Sequence, residues 1–182
     1  VLTSWARQSA NSLISQVPAG SLDTVDEFSV RMLSNHMLRF NEAINPNEAA
    51  EWLISHANTE NRLSFSAQIS DAWVATDPRA AVAWYERQEG FSQEHKASLL
   101  SMAIYDDTDV VIDMLPTLQN ESLQRSVSLR VYQQLLDSQP EQAEAFIADS
   151  PYKEAIKTKV SQRQEQESLR RSGLVDPIDS CG

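Results

Sequence analysis

Asp77-Pro78-Arg79-Ala80-Ala81-Val82-Ala83-Trp84 is the stretch that decides how this chain folds. The Asp77 side chain can accept an N–H that the first turn of a helix leaves without an intrahelical partner. Pro78 then stands at the first helical position, where its missing N–H costs nothing and its fixed φ suits the turn. Ala81, Val82 and Trp84 supply an apolar face. Upstream, Asn45-Pro46-Asn47-Glu48 opens in the same way, with Glu48 at capping-box distance from Asn45. Downstream, Gln139-Pro140-Glu141-Gln142 does so again, and Asp107-Thr108-Asp109-Val110 fills the gap without a proline. Starts at 46, 78, 108 and 140 give a period of about 30 to 32 residues.

Six residues into each unit stands a large apolar side chain: Trp52, Trp84, Met114 and Phe146. Small or branched residues precede it, as in Ala49-Ala50, Ala81-Val82, Val111-Ile112 and Ala143. One such residue per repeat reads as a packing layer rather than a ligand-stacking ladder, and Trp52, Trp73 and Trp84 are assigned to the core. A second helix follows in each unit, with Thr59, Ser92 and Asn120 as candidate N-caps and Gly90 as a terminator before Ser92. Its apolar residues recur at helical spacing: Phe65, Ile69, Ala72 and Trp73, then Leu99, Leu100, Ala103 and Ile104, then Val127, Val131, Leu135 and Leu136.

Before these units, Thr24 to Glu27 is a further capping box, followed by Phe28, Met32, Leu33, Met37 and Phe40 on one helix. Leu2 to Ile14 reads as an earlier helix ended by Pro18 and Gly20. At the other end, Ser150-Pro151 opens a last helix running to about Arg171, closed by Gly173 and Pro177. The expected class is all-α: stacked antiparallel helix pairs forming a short right-handed α-solenoid of roughly ten helices. A single helical-repeat domain is expected over 1–171, with units at about 24–45, 46–76, 77–106, 107–138 and 139–171, and a polar tail over 172–182.

Helix pairs at this period resemble α-solenoid repeats, the tetratricopeptide-like superfamily in the broad sense. The resemblance covers about residues 24 to 150 and rests on the Asp/Asn-Pro-x-x-Ala opening with an aromatic six residues later, as at Pro46/Trp52 and Pro78/Trp84. The period is shorter than the roughly 34 residues of the tetratricopeptide consensus, and the Trp…Leu-Gly…Tyr series is absent. The resemblance implies a binding scaffold whose concave face receives another protein or a peptide.

Composition narrows the classes. Only 4 Gly and 7 Pro occur, and the prolines are spaced, which argues against a disordered chain or a turn-rich β-sandwich. A formal net charge of -11 repels phosphate backbones, so nucleic acid is not an expected partner. No apolar run approaches the roughly 20 residues that span a bilayer, so no direct membrane insertion is expected. The chain begins at Val1, and low Lys usage tilts the expected compartment toward a bacterial periplasm or a membrane-anchored protein rather than the cytoplasm. Cys181, the single cysteine, excludes an intrachain disulfide and reads as an exposed tail residue.

Chemistry-bearing constellations are weak. His36, His56 and His95 lie far apart and match no ligand spacing, so no metal or cofactor is expected. Asp106, Asp107 and Asp109 cluster, but the calcium-loop pattern fails because its sixth position, counted from Asp106, is Val111 and its twelfth is Thr117; capping is the simpler role. Glu121-Ser122 and Glu167-Ser168 resemble the Glu-Ser pair of lytic transglycosylases, without the Gly- and Tyr-rich surroundings of that domain. The last helix sets Lys153, Lys157, Lys159, Arg163, Arg170 and Arg171 against Glu154, Glu165 and Glu167, an excess of +3. It is expected to dock on the acidic body, with a movable or partner-binding helix as the alternative.

The expected function is a non-catalytic protein-interaction module, with Glu51, Arg79, Arg87 and Gln88 as candidate partner-binding residues. The alternatives are a peptidoglycan-processing enzyme or its accessory domain, and the soluble regulatory domain of a membrane-anchored protein.

Overall fold

The computed structural model describes residues 27–39, 45–57 and 60–172, and its regular structure is helical, with no strand among the described residues. The all-α class is therefore shown. Nine α-helices lie in the described residues: α1 (Glu27–Ser34), α2 (Pro46–Ser55), α3 (Arg62–Trp73), α4 (Pro78–Tyr85), α5 (Gln93–Ala103), α6 (Thr108–Met114), α7 (Glu121–Ser138), α8 (Pro140–Ala148) and α9 (Lys153–Arg171). A π-helical turn, Asn35–Arg39, extends α1, and a 3₁₀ turn, Leu115–Thr117, follows α6. The expected Leu2–Ile14 helix, the Thr59 cap and Cys181 lie outside the described residues.

Helix starts fall where the sequence places them: Pro46, Pro78, Thr108 and Pro140 are the first residues of α2, α4, α6 and α8. Asn45 Oδ1 accepts from Asn47 N at 2.9 Å and Glu48 N at 3.3 Å, Asp77 from Ala80 N at 2.9 Å, and Asp107 from Val110 N at 3.0 Å. The second helices are capped by Ser92, which accepts from His95 N, and Asn120, which accepts from Ser122 N and Leu123 N. Gly90 sits in the turn before Ser92 with φ 79°, a conformation that favours glycine, while the Leu63 side chain lying over it is exposed and could turn aside from a Cβ. The last helix begins at Lys153, two residues later than Pro151 suggested, because Pro151 and Tyr152 form a turn.

By compactness the chain divides into two units, Val1–Gln124 and Arg125–Gly182. In unit 1 each pair packs internally, α2 on α3 and α4 on α5, and like helices also touch across pairs, α3 on α5 and α4 on α6. Its core is continuous: Trp84, Phe65, Leu53, Ile69, Leu99 and Leu100 are essentially inaccessible. Trp73 and Trp84 meet with ring centroids 6.4 Å apart. On α1 the turn at Asn35–Arg39 brings Met37 and Leu38 inward beside Val30 and Leu33, while Met32, expected on the apolar face, is 39% exposed. A π turn advances more residues per turn than an α turn, which shifts the buried face along the helix. In unit 2 the core is Val127, Val131, Leu135, Ala143, Ile147, Ile156 and Val160.

The aromatic layer is uneven. Trp52 and Trp84 are buried, whereas Met114 and Phe146 at the same repeat position are only half-buried. Burial sets the cost of truncation, because a cavity adds to the lost transfer energy only where neighbours enclose the side chain. Trp84→Ala is expected to cost about 3–5 kcal/mol and Phe146→Ala roughly 1–2 kcal/mol, both read from urea titrations of far-UV circular dichroism. Equal losses would contradict the difference in enclosure.

Candidate functional site

The four residues expected to reach a partner all lie in unit 1, and all four are engaged within it. Glu51, on α2, accepts the indole N–H of Trp84 at 2.9 Å, tying the first helices of successive pairs. Arg79, on α4, pairs with Asp113 of α6 and makes the next such tie. Arg87 and Gln88 follow the end of α4 and fold back onto its carbonyls, at Ala83 O (3.0 Å) and Trp84 O (3.1 Å). Glu51 and Asp113 occupy the same place in their helices, five residues after the first, so one register position accepts both bonds.

Unit 1 also exposes apolar groups that the sequence reading did not single out. Tyr105, just beyond α5, is 78% exposed, and Met102, one turn earlier, is 39% exposed. The joint that carries Tyr105 has counterparts elsewhere in the chain. Thr76 N and Asp77 N both donate to Trp73 O, at 3.0 and 3.1 Å; Asp106 N and Asp107 N both donate to Ala103 O, at 3.1 and 2.9 Å. Aligned on these carbonyls, Tyr105 stands where the earlier joint has Ala75.

Polar groups form two clusters in unit 1, one around a buried lysine and one at the edge of the core. Lys96, on α5, is 1% exposed, and its Nζ meets the Glu86 carboxylate and Thr117 O, the latter at 3.1 Å. The signal for this burial was the stripe Lys96, Leu99, Leu100, Ala103, which puts the lysine first on the apolar face. The second cluster joins α3 to α5: His95 Nε2 lies 3.2 Å from Ser70 Oγ and 3.4 Å from Asp71 Oδ1, and its ring meets that of Tyr85 at a tilt of 58° with centroids 4.6 Å apart. Burial raises the Asp71 carboxyl above its ordinary value, and His95 partly offsets this. A nucleophilic triad needs the base addressed through opposite ring nitrogens. Here both partners address Nε2, and Ser70 Oγ donates to Ser66 O and Ala67 O, so the cluster ties two helices.

His56 is buried, its Nδ1 donating to Trp52 O at 2.6 Å with the ring 4.4 Å from that of Trp52. Among the described residues no group of three or more His, Cys, Asp and Glu could hold a metal ion, and no helix is long and apolar enough to cross a membrane. Asp107 caps α6, and Glu121 is the exposed first residue of α7.

In unit 2 a groove of about 610 Å³ runs between α7 and α9. Ser126, Leu129, Arg130 and Gln133 form one wall; Lys159, Gln162, Arg163, Gln166, Glu167 and Arg170 form the other. Both walls are anchored through α8 by one carboxylate. Glu144 accepts from Tyr132 OH of α7 at 2.9 Å and from Lys157 Nζ of α9 at 2.7 Å. Beyond Val160, α9 is exposed to its end, so one side of it lines the groove while the rest meets solvent.

Compared with family models, curated proteins and solved structures, the chain has no significant match. The reading of its function therefore rests on geometry.

The Lys157 hydrogen bond, then that from Tyr132, holds the Glu144 carboxyl below its ordinary value of 4.5. A carboxyl whose folded value is depressed stabilises the fold above its unfolded value and loses that contribution as pH falls through the folded one. Unit 2 of the natural chain is therefore expected to outlast Glu144→Gln toward urea at neutral pH. The advantage should fade as pH drops below 4.5. A gap between the two that stays constant with pH would show that Glu144 acts by shape alone.

Proposed function

We propose that the chain is a non-catalytic protein-interaction module, built as a short right-handed α-solenoid of degenerate helix pairs related to the tetratricopeptide-like class. What supports the repeat is the recurrence of one joint, one cap position and one pattern of ties between like helices in unit 1. What supports binding, and carries the reading, is Tyr105. Its ring stands in solvent at a position where the preceding joint has an alanine, three residues after the half-exposed Met102 near the end of α5. Tyrosine supplies a large contact area with few rotatable bonds and is enriched among residues that dominate interface energies.

Ordered polar groups on α4, α6 and the turn after α4 add to this. The Arg79–Asp113 pair and the back-folded Arg87 and Gln88 are already held before a partner arrives, which lowers the entropy lost on association. A partner docking across α4, α5 and the joint after it would meet an aromatic anchor with a charged rim, the usual anatomy of a protein interface.

The test is a photoreactive phenylalanine analogue in place of Tyr105, irradiated in the native lysate, with the same analogue at exposed Ser98 as control. Capture of one protein species at 105 and not at 98 is expected. Tyr105→Ala should weaken binding of that species about tenfold or more, while changing stability by no more than about 0.5 kcal/mol. No selective capture, together with peptidoglycan cleavage that Glu121→Gln abolishes, would replace this reading with the enzyme.

A further inference from the structure

The groove of unit 2 has walls that repeat at helical spacing. On α7, Ser126, Arg130 and Gln133 recur four and three residues apart; on α9, Lys159, Arg163, Gln166 and Arg170 recur four, three and four apart. Each wall is thus one face of its helix. From Lys159 to Arg170 the α9 wall spans about 16 Å at the helical rise, a length matched by about five residues of extended chain.

The charge along it is specific. Four cations line the groove against a single carboxylate, Glu167, which Arg163 holds at 3.0 Å. Arg130, Lys159 and Arg170 have no ion pair among the described residues. Gln133, Gln162 and Gln166 stand between them, each offering both a donor and an acceptor. The geometry points to an acidic polypeptide segment of a partner protein as the occupant. Its carboxylates would pair with the three unmatched cations, and its backbone N–H and C=O groups would meet the glutamine amides. Glu167 on Arg163 is an internal example of the first contact.

Nucleic acid fits less well, because backbone phosphates carry no donor for the glutamine carbonyls, whereas a peptide backbone brings an N–H with each residue. The inference concerns α7 and α9 in unit 2 and goes beyond the Tyr105 surface of unit 1, so either can fail without the other.

Fluorescence anisotropy of a fluorescein-labelled octaglutamate peptide, titrated with the full chain at low salt, tests it. Saturable binding is expected, weakened about tenfold in the double variant Arg130→Glu with Lys159→Glu. Glu167→Gln, which removes the competing carboxylate, should tighten it. Arg125→Glu with Arg171→Glu changes charge equally on the same two helices outside the groove and should leave affinity nearly unchanged. If reversal to glutamate unfolds the helices by circular dichroism, Arg130→Gln with Lys159→Gln replaces it, with a smaller loss in the same direction. No saturable binding, or equal loss in both double variants, would overturn the proposal. So would tighter binding of an oligothymidylate of equal charge, which would assign the groove to nucleic acid. A dimer in sedimentation that dissolves in the groove variant would assign it instead to a second copy of the chain.

Discussion

A helix that ends leaves carbonyls without amides, and the next one begins with amides without carbonyls. In this chain one short joint meets both needs. The carbonyl of Trp73 takes the amides of Thr76 and Asp77, and the Asp77 carboxylate then takes the amide of Ala80. Ala103, Asp106, Asp107 and Val110 repeat the arrangement with the same connectivity. Because the turn is short and its bonds are specific, the chain can leave a second helix and enter the next first helix in only a narrow range of directions. The burial of Trp73 against Trp84, the Glu51–Trp84 bond and the exposure of Tyr105 all follow from that constraint.

Local chemistry was legible for the same reason. Pro78, Asp77, Ser92 and Asn120 act on atoms within three residues of themselves, so their sequence neighbourhood contains the whole interaction. Trp52, Trp73 and Trp84 were legible as core from size and spacing. Long-range outcomes were not. Nothing near Glu51 reveals that its donor partner is an indole 33 residues away, or that Lys96 reaches both Glu86 and the carbonyl of Thr117. Met114 and Phe146 share a repeat position with two buried tryptophans but remain half-buried, because enclosure depends on what packs over a residue rather than on its register. The excess of cations on the last helix was visible in sequence; that Lys159, Arg163 and Arg170 face Arg130 across a groove was not.

The two units differ in electrostatic character. Unit 1 holds seven Lys and Arg against seventeen Asp and Glu, while unit 2 holds eight against nine. Self-repulsion is concentrated in the first, where added salt relieves it most. In the second, cations and carboxylates nearly balance, and their placement decides the local field: Glu144 sits where it joins three helices, and Arg130, Lys159 and Arg170 are left facing a common space.

The seclusion of Lys96 has a chemical consequence. Every other lysine in the sequence, at 153, 157 and 159, belongs to unit 2, so Lys96 is the one side-chain amine of unit 1 and it is sealed from solvent. An acylating reagent, or an enzyme that conjugates a modifier to lysine, finds no reachable side-chain amine over the first 124 residues while the fold holds. Conjugation to a side-chain amine is thereby directed to α9, and the appearance of a tag on Lys96 would report the opening of unit 1 itself.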